Sequence, residues 1–238
     1  MNKFRKMIFA TFPIWCWLVG DVIVLANDNS LNERQIKGVS QSLLSLVEAA
    51  NRSSIDIDAS GQLVRIGLPS RLNTNSNLAV VAACDTVTNL TIWFTRKGNP
   101  SLSKAGFDSL HQLSRLDSLE VGCCELIPSD MFLSICQLTN LRVLRLNRAE
   151  PSVADYACLT NLTRLEELHI GEAKNFGDHQ FERLNILPLL RKINLNFSST
   201  SYGCLDAVSS FPSLTNLVIT KGEIGVGKTL EKIEWTKQ

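Results

Sequence analysis

The chain has 238 residues, of which 45% are hydrophobic and 20% charged, with a formal net charge of +1. That length supports one core and no more than one folded domain. The balanced charge, without a basic stripe, excludes the electrostatic footprint of a nucleic-acid binder.

In chain order, Lys3, Arg5 and Lys6 precede an apolar run from Met7 to Gly20, and Val24, Leu25 and Ala26 form a junction suited to cleavage after Ala26. Asp21 interrupts the stretch and argues against a comfortable membrane span, which needs about 20 apolar residues. Residues 1–26 read as a signal peptide, with a membrane anchor through residues 7–26 as the alternative and an internal helix as the third reading. Residues 27–62 change character. Ile36, Val39, Leu43, Leu44, Val47 and Ala50 put one apolar face on a helix over Asn32–Asn51. Ile55 and Ile57 then alternate with polar residues, and Ala59 to Gln62 supply a turn, so a hairpin follows the helix. Together they form an N-terminal cap.

From Phe107 one apolar pattern recurs: Phe107, Leu110, Leu113, Leu116, Leu119, Val121. Later copies are Phe132, Ile135, Leu138, Leu141, Leu144, Leu146, then Tyr156, Leu159, Leu162, Leu165, Leu168, Ile170. Phe181, Leu184, Leu187, Leu190, Ile193, Leu195 and finally Leu205, Val208, Phe211, Leu214, Leu217, Ile219 complete the set. Successive copies start 24 or 25 residues apart. The three-residue steps suit a helical or 3₁₀ arm, and the closing two-residue step a short strand with two inward side chains. Upstream, Val81, Cys84, Val87, Leu90, Trp93 and Thr95 continue the spacing in degraded form, and Leu63, Ile66 and Leu68 keep only the strand half. Strands are therefore expected near 64–68, 91–95, 118–122, 143–147, 167–171, 192–196 and 216–220.

The L-x-x-L-x-L core and its period resemble the leucine-rich repeat family over residues 63–224. Gly106 before Phe107 and Gly177 before Phe181 make the form similar to short bacterial members. The resemblance implies an α/β fold: a right-handed solenoid with parallel strands on a concave face and helical or 3₁₀ arms on the convex face. One unit cannot bury its own apolar face, so stacking makes the core. The family's Asn after the strand is not kept. Gly98, Cys124, Ala149, Ala173, Ser198 and Gly222 stand there, and of these only Cys124 is an accepted substitute. Turn backbone groups then need other partners. Residues 225–238, amphipathic through Leu230, Ile233 and Trp235, read as a C-terminal cap.

Three signals for chemistry are weak. Gly222 to Thr229 match the phosphate-binding G-x-x-x-x-G-K-[ST] pattern, but only nine residues follow Thr229, too few for the βαβ crossover such a loop serves. The seven cysteines show no metal-ligand spacing; Cys84, Cys136, Cys158 and Cys204 read as small buried hydrophobes, and no bridge can be named. Of His111, His169 and His179, only His169 falls on the strand face, with no nucleophile near it. No cofactor, metal or catalytic residue is expected. The sequons at Asn51, Asn89, Asn161 and Asn196 occur at about chance frequency.

If the strands stack, the central outward column runs Gly67, Phe94, Glu120, Arg145, His169, Asn194, Val218. Arg65, Ile92, Ser118, Val143, Glu167, Lys192 and Asn216 form the column before it, and Arg96, Gly122, Asn147, Gly171, Asn196 and Thr220 the one after. The candidate binding residues are Phe94, Arg96, Glu120, Val143, Arg145, Glu167, His169, Lys192, Asn194 and Val218. The function they point to is a non-enzymatic, exported module that binds a protein or peptide through the concave sheet. The alternative is an envelope or cell-surface spacer without a discrete ligand. N-terminal sequencing of protein from its native host should begin at or near Asn27; an intact Met1 in a soluble cytosolic fraction would rule out both leader and anchor.

Overall fold

A computed structural model describes residues 40–50, 54–94, 101–122, 127–149, 151–172, 174–196, 198–201, 203–221 and 231–237. The leader, Arg96, Cys123, Cys124, Phe197 and the Gly222–Thr229 motif lie outside the described residues. The first described element is a helix, α1 (Gln41–Ala49), started by Ser40, whose side chain accepts a hydrogen bond from the Leu43 amide at 3.2 Å. It buries Leu43, Leu46 and Val47, while Leu44 is half-buried beside them. A hairpin follows, β1 (Ile55–Ile57) antiparallel to β2 (Leu63–Leu68). Its turn is tied by Asp58 Oδ1, which accepts from the amides of Ser60 at 2.9 Å and Gln62 at 3.0 Å. Gly61 takes a φ of 85°, a left-handed conformation that suits glycine.

The remaining strands are β3 (Asn89–Trp93), β4 (Ser118–Gly122), β5 (Val143–Asn147), β6 (Glu167–Gly171), β7 (Lys192–Asn196), β8 (Asn216–Lys221) and β9 (Glu231–Thr236). They form one sheet in sequence order, parallel from β2 to β8 and antiparallel at both ends. The two-residue step is buried in every copy. Ile66, Leu90, Leu119, Leu144, Leu168, Ile193 and Leu217 stand in register, as do Leu68, Ile92, Val121, Leu146, Ile170, Leu195 and Ile219. Return arms mix short helices with 3₁₀ turns: α2 (Asn75–Ala82), α3 (Lys104–Ser109), α4 (Ser129–Ile135), a 3₁₀ run at Asp155–Asn161, α5 (Asp178–Arg183) and α6 (Cys204–Ala207). Cys204 takes the buried place expected for Leu205, which is half-buried.

The frame expected for the β3 copy is wrong by one three-residue step. The buried set is Leu78, Val81, Cys84, Val87, Leu90 and Ile92, while Trp93 is 46% exposed. Both frames satisfy the apolar spacing, and only the first closes on two aliphatic residues. Ile92 therefore leaves the outward column, and Asn89 pairs with Arg65 and Ser118 in its place.

Successive copies are locked by a second device. The carbonyls of Thr88, Asp117, Arg142, Glu166 and Arg191 each accept two amides from the entry of the next strand. Asp117 takes Arg142 N at 2.8 Å and Val143 N at 3.0 Å, for example. Side chains elsewhere do part of the missing asparagines' work. Tyr156 Oη donates to the Ala149 carbonyl at 3.0 Å, and buried Thr200 Oγ1 donates to the Phe176 carbonyl at 3.3 Å. Tyr156 also meets Phe132 and Phe176 edge-on, with ring centroids 5.5 and 5.0 Å apart. Cys136 and Cys158 are not independent hydrophobes. They form a disulfide with Cα atoms 5.6 Å apart, because one ends α4 and the other sits in the 3₁₀ run of the next arm. Cys84 and Cys204 are buried.

Leu144 is fully buried between Leu119 and Leu168. Leu144→Ala should lower unfolding free energy by about 2–5 kcal/mol, read from urea denaturation at unchanged m-value.

Candidate binding face

Residues between the inward pairs point off the sheet, because side chains alternate along a strand. The register makes the central outward column Gly67, Thr91, Glu120, Arg145, His169, Asn194 and Val218. Phe94 does not belong to it. It lies past the end of β3, packs half-buried against the core and donates its amide to the Gly122 carbonyl at 2.9 Å. The structure thus brings Glu120, Arg145, His169, Asn194 and Val218 into one line, with Val143, Glu167 and Lys192 beside them. The line is parallel strands about 4.8 Å apart with leucines beneath each outward residue, repeated without interruption. The fold is a leucine-rich repeat solenoid.

Along the open face of its repeats, charge is partly matched. Glu167 Oε2 is 3.4 Å from Arg145 Nη2, and Glu167 Oε1 is 2.6 Å from Lys192 Nζ. At this exposure each pair contributes about 0.2–1 kcal/mol. Glu120 stands beside Arg145 in the column, yet among the described residues it makes no hydrogen bond or ion pair. Burial raises its pKa, and the Arg145 charge offsets this in part. His169 is likewise without a hydrogen bond among the described residues; burial, aided by the Arg145 charge, lowers its pKa to about 4, so it is neutral at pH 7. Asn194 Oδ1 is sealed from water with no hydrogen-bond partner. Arg148 and Glu172, each just past a strand, both take positive φ (62° and 53°) and join through Nε and Oε2 at 3.0 Å.

Two residues on this face were not anticipated from sequence. Thr91 fills the column place given to Phe94, and Trp93 takes the place given to Arg96. The signal was the aliphatic pair Leu90 and Ile92, which alone of the candidate steps closes a repeat as the other copies do. Catalytic chemistry has little material: the carboxylate nearest His169 in sequence, Glu167, is held by two cations. Among the described residues no group of three or more His, Cys, Asp or Glu side chains is placed to hold a metal. Where the phosphate-binding pattern would need a helix after Thr229, the strand β9 begins at Glu231.

No family model and no curated protein matches the sequence. Among solved structures the chain is similar to an internalin from Listeria monocytogenes, at 16% identity over 58% of this chain and 43% of that one, with a TM-score of 0.41. It is similar also to the leucine-rich repeat ectodomain of the Arabidopsis receptor kinase HAESA, solved with a peptide hormone, at 19% identity over 75% and 34% of the two chains and a TM-score of 0.39. The third is TLR13 in complex with ssRNA13, at 15% identity over 68% and 29%, TM-score 0.35. The chain spans less than half the length of each.

Because the folded pKa of His169 lies below the ordinary value of 6.5, the unfolded chain takes up the proton first as pH falls. Stability contributed by neutral His169 should therefore be complete above pH 6.5, decline as pH falls toward 4 and level off below it. Urea midpoints at pH 7 and 4.5 should differ less for His169→Gln than for wild type.

Proposed function

We propose that the protein is a non-enzymatic, exported leucine-rich repeat module that binds another protein or a peptide through the open face of its sheet. The observation that carries this is the set of polar groups without partners at the centre of the face. Glu120 and His169 make no hydrogen bond among the described residues, and Asn194 Oδ1 is sealed and unpaired. Polar groups removed from water normally find partners, and leaving one unmet costs about 1–3 kcal/mol. A ligand laid along the column offers a donor to Glu120 and gives neutral His169 a partner. Half-buried Val143 and Val218 add apolar contact at its margins.

Export is supported by two features. The leader-like residues Lys3, Arg5 and Lys6 precede an apolar run, and the Cys136–Cys158 disulfide suits an oxidising compartment. Secreted, periplasmic and cell-surface placement all fit. Among the described residues no helix is long and apolar enough to cross a membrane. The domain division that fits this reading is a leader at 1–26, a helix-and-hairpin cap at 27–62, repeats at 63–224 and a C-terminal cap at 225–238.

The test is a pull-down from the native host with the chain from Asn27 onward, followed by affinity measurements on the partner recovered. Arg145→Ala and His169→Ala should each weaken binding about tenfold or more. Glu182→Ala, on the exposed side of α5, should leave it within about twofold. Equal affinity across all three variants places the binding surface elsewhere.

A further inference from the structure

Trp93 is a large aromatic side chain set on a strand face, with 46% of its surface exposed. Its ring is laid flat by its neighbour across the sheet. A Cβ at Gly122 would come 2.5 Å from Trp93 Cζ3 and 2.6 Å from Cε3, so the indole covers bare backbone that only glycine leaves open. One ring face therefore rests on β4. Glu120 lies two residues before Gly122 on the same side of β4, about 7 Å along the strand. Thr91 pairs with Glu120 across the same two strands and carries its hydroxyl on the same side of the sheet as Trp93.

A second strand carboxylate of the open face, Glu167, is engaged by Arg145 and Lys192. Glu120 is not: Arg145 turns its guanidinium to Glu167 at 3.4 Å and forms no ion pair with Glu120. A half-buried carboxylate that makes no ion pair among the described residues, two places along the strand from an indole resting on a glycine, has the chemistry of a cation seat. The carboxylate supplies charge, and the indole supplies its electron-rich face. A planar guanidinium suits both better than an ammonium, since it forks onto a carboxylate while stacking on a ring.

We infer that Glu120, Trp93 and Thr91, over Gly122, seat an arginine side chain of the bound protein or peptide. This rests on the open face being the binding face, and it fixes both the register and one side-chain requirement of the ligand. Arg145, His169 and Asn194 then receive the segment that continues toward β7. The partner is expected to carry an arginine in an extended segment, placed at the β3–β4 end of the contact.

The probe is the peptide acetyl-Gly-Gly-Arg-Gly-Gly-amide, titrated into the full chain while the indole N–H resonance of Trp93, assigned with Trp93→Phe, is followed by NMR. The peptide should shift that resonance saturably. The citrulline peptide, a neutral isostere of nearly the same shape, should bind about tenfold more weakly, as should the arginine peptide to Glu120→Gln. Gly122→Ala, which pushes the ring off the strand, should also reduce the shift. Both variants are checked by the unchanged amide spectrum of β6 and β7. Equal binding of the arginine and citrulline peptides overturns the seat, as does an arginine response that survives Glu120→Gln. The recovered partner separates the two readings. If its affinity falls with His169→Ala but not with Glu120→Gln, the face binds and the arginine seat is wrong; if it responds to neither, both are wrong.

Discussion

Each inward leucine of this protein stands between its counterparts in the copies before and after it. Leu144 has Leu119 on one side and Leu168 on the other, and is fully buried as a result. Shifting one strand by a single residue would turn its whole inward set to solvent. The paired amides on the carbonyls of Thr88, Asp117, Arg142, Glu166 and Arg191 set the same offset at every strand entry. Residues on the open face inherit their neighbours from this arrangement. Arg145 lies between Glu120 and His169 because the apolar period puts it there, and the pairing of Arg145 with Glu167 follows from the same register.

The two faces of the repeats differ in how complete they are. Beneath the sheet, Phe132, Tyr156 and Phe176 interlock, and the hydroxyls of Tyr156 and Thr200 donate to the backbone carbonyls of Ala149 and Phe176. The ends are finished as well. β1 and β9 run antiparallel to their neighbours, and partly buried Ile55, Ile57 and Trp235 pack against the core there. Among the described residues, Glu120, His169 and Asn194 Oδ1 on the open face make no hydrogen bond.

Much of this was legible because the period is strict. The strands at 118–122, 143–147, 167–171 and 192–196 stand where the apolar spacing puts them, and the five full copies bury their apolar residues as read, save Leu205, whose place Cys204 takes. The β3 copy was misread since a run of apolar residues three apart admits two frames, and the choice moved Trp93 and Ile92 to opposite sides of the sheet. That error reached the site: Phe94 was assigned a column place that Thr91 holds, and Trp93 was read as core. The disulfide escaped because Cys136 and Cys158 occupy different places in their copies, one closing an α-helix and the other inside a 3₁₀ run. Their proximity depends on how two differently wound arms cross, which spacing alone does not encode. That Arg145 forms its ion pair with Glu167 was also invisible, since sequence order puts Arg145 beside Glu120 and only side-chain direction decides between the two carboxylates.

The Cys136–Cys158 bond has a mechanical consequence. A stack of repeats is a chain of nearest-neighbour contacts, and tension between its ends ordinarily passes through every copy in turn. Here the load crosses from α4 to the following 3₁₀ run through sulfur, and the chain between these cysteines, separated by 22 positions, carries none of it. β5 lies inside that bypass, and Arg145 with it. Under tension applied at its two ends, the chain can lose copies from either side while the strand at the middle of its open face stays slack.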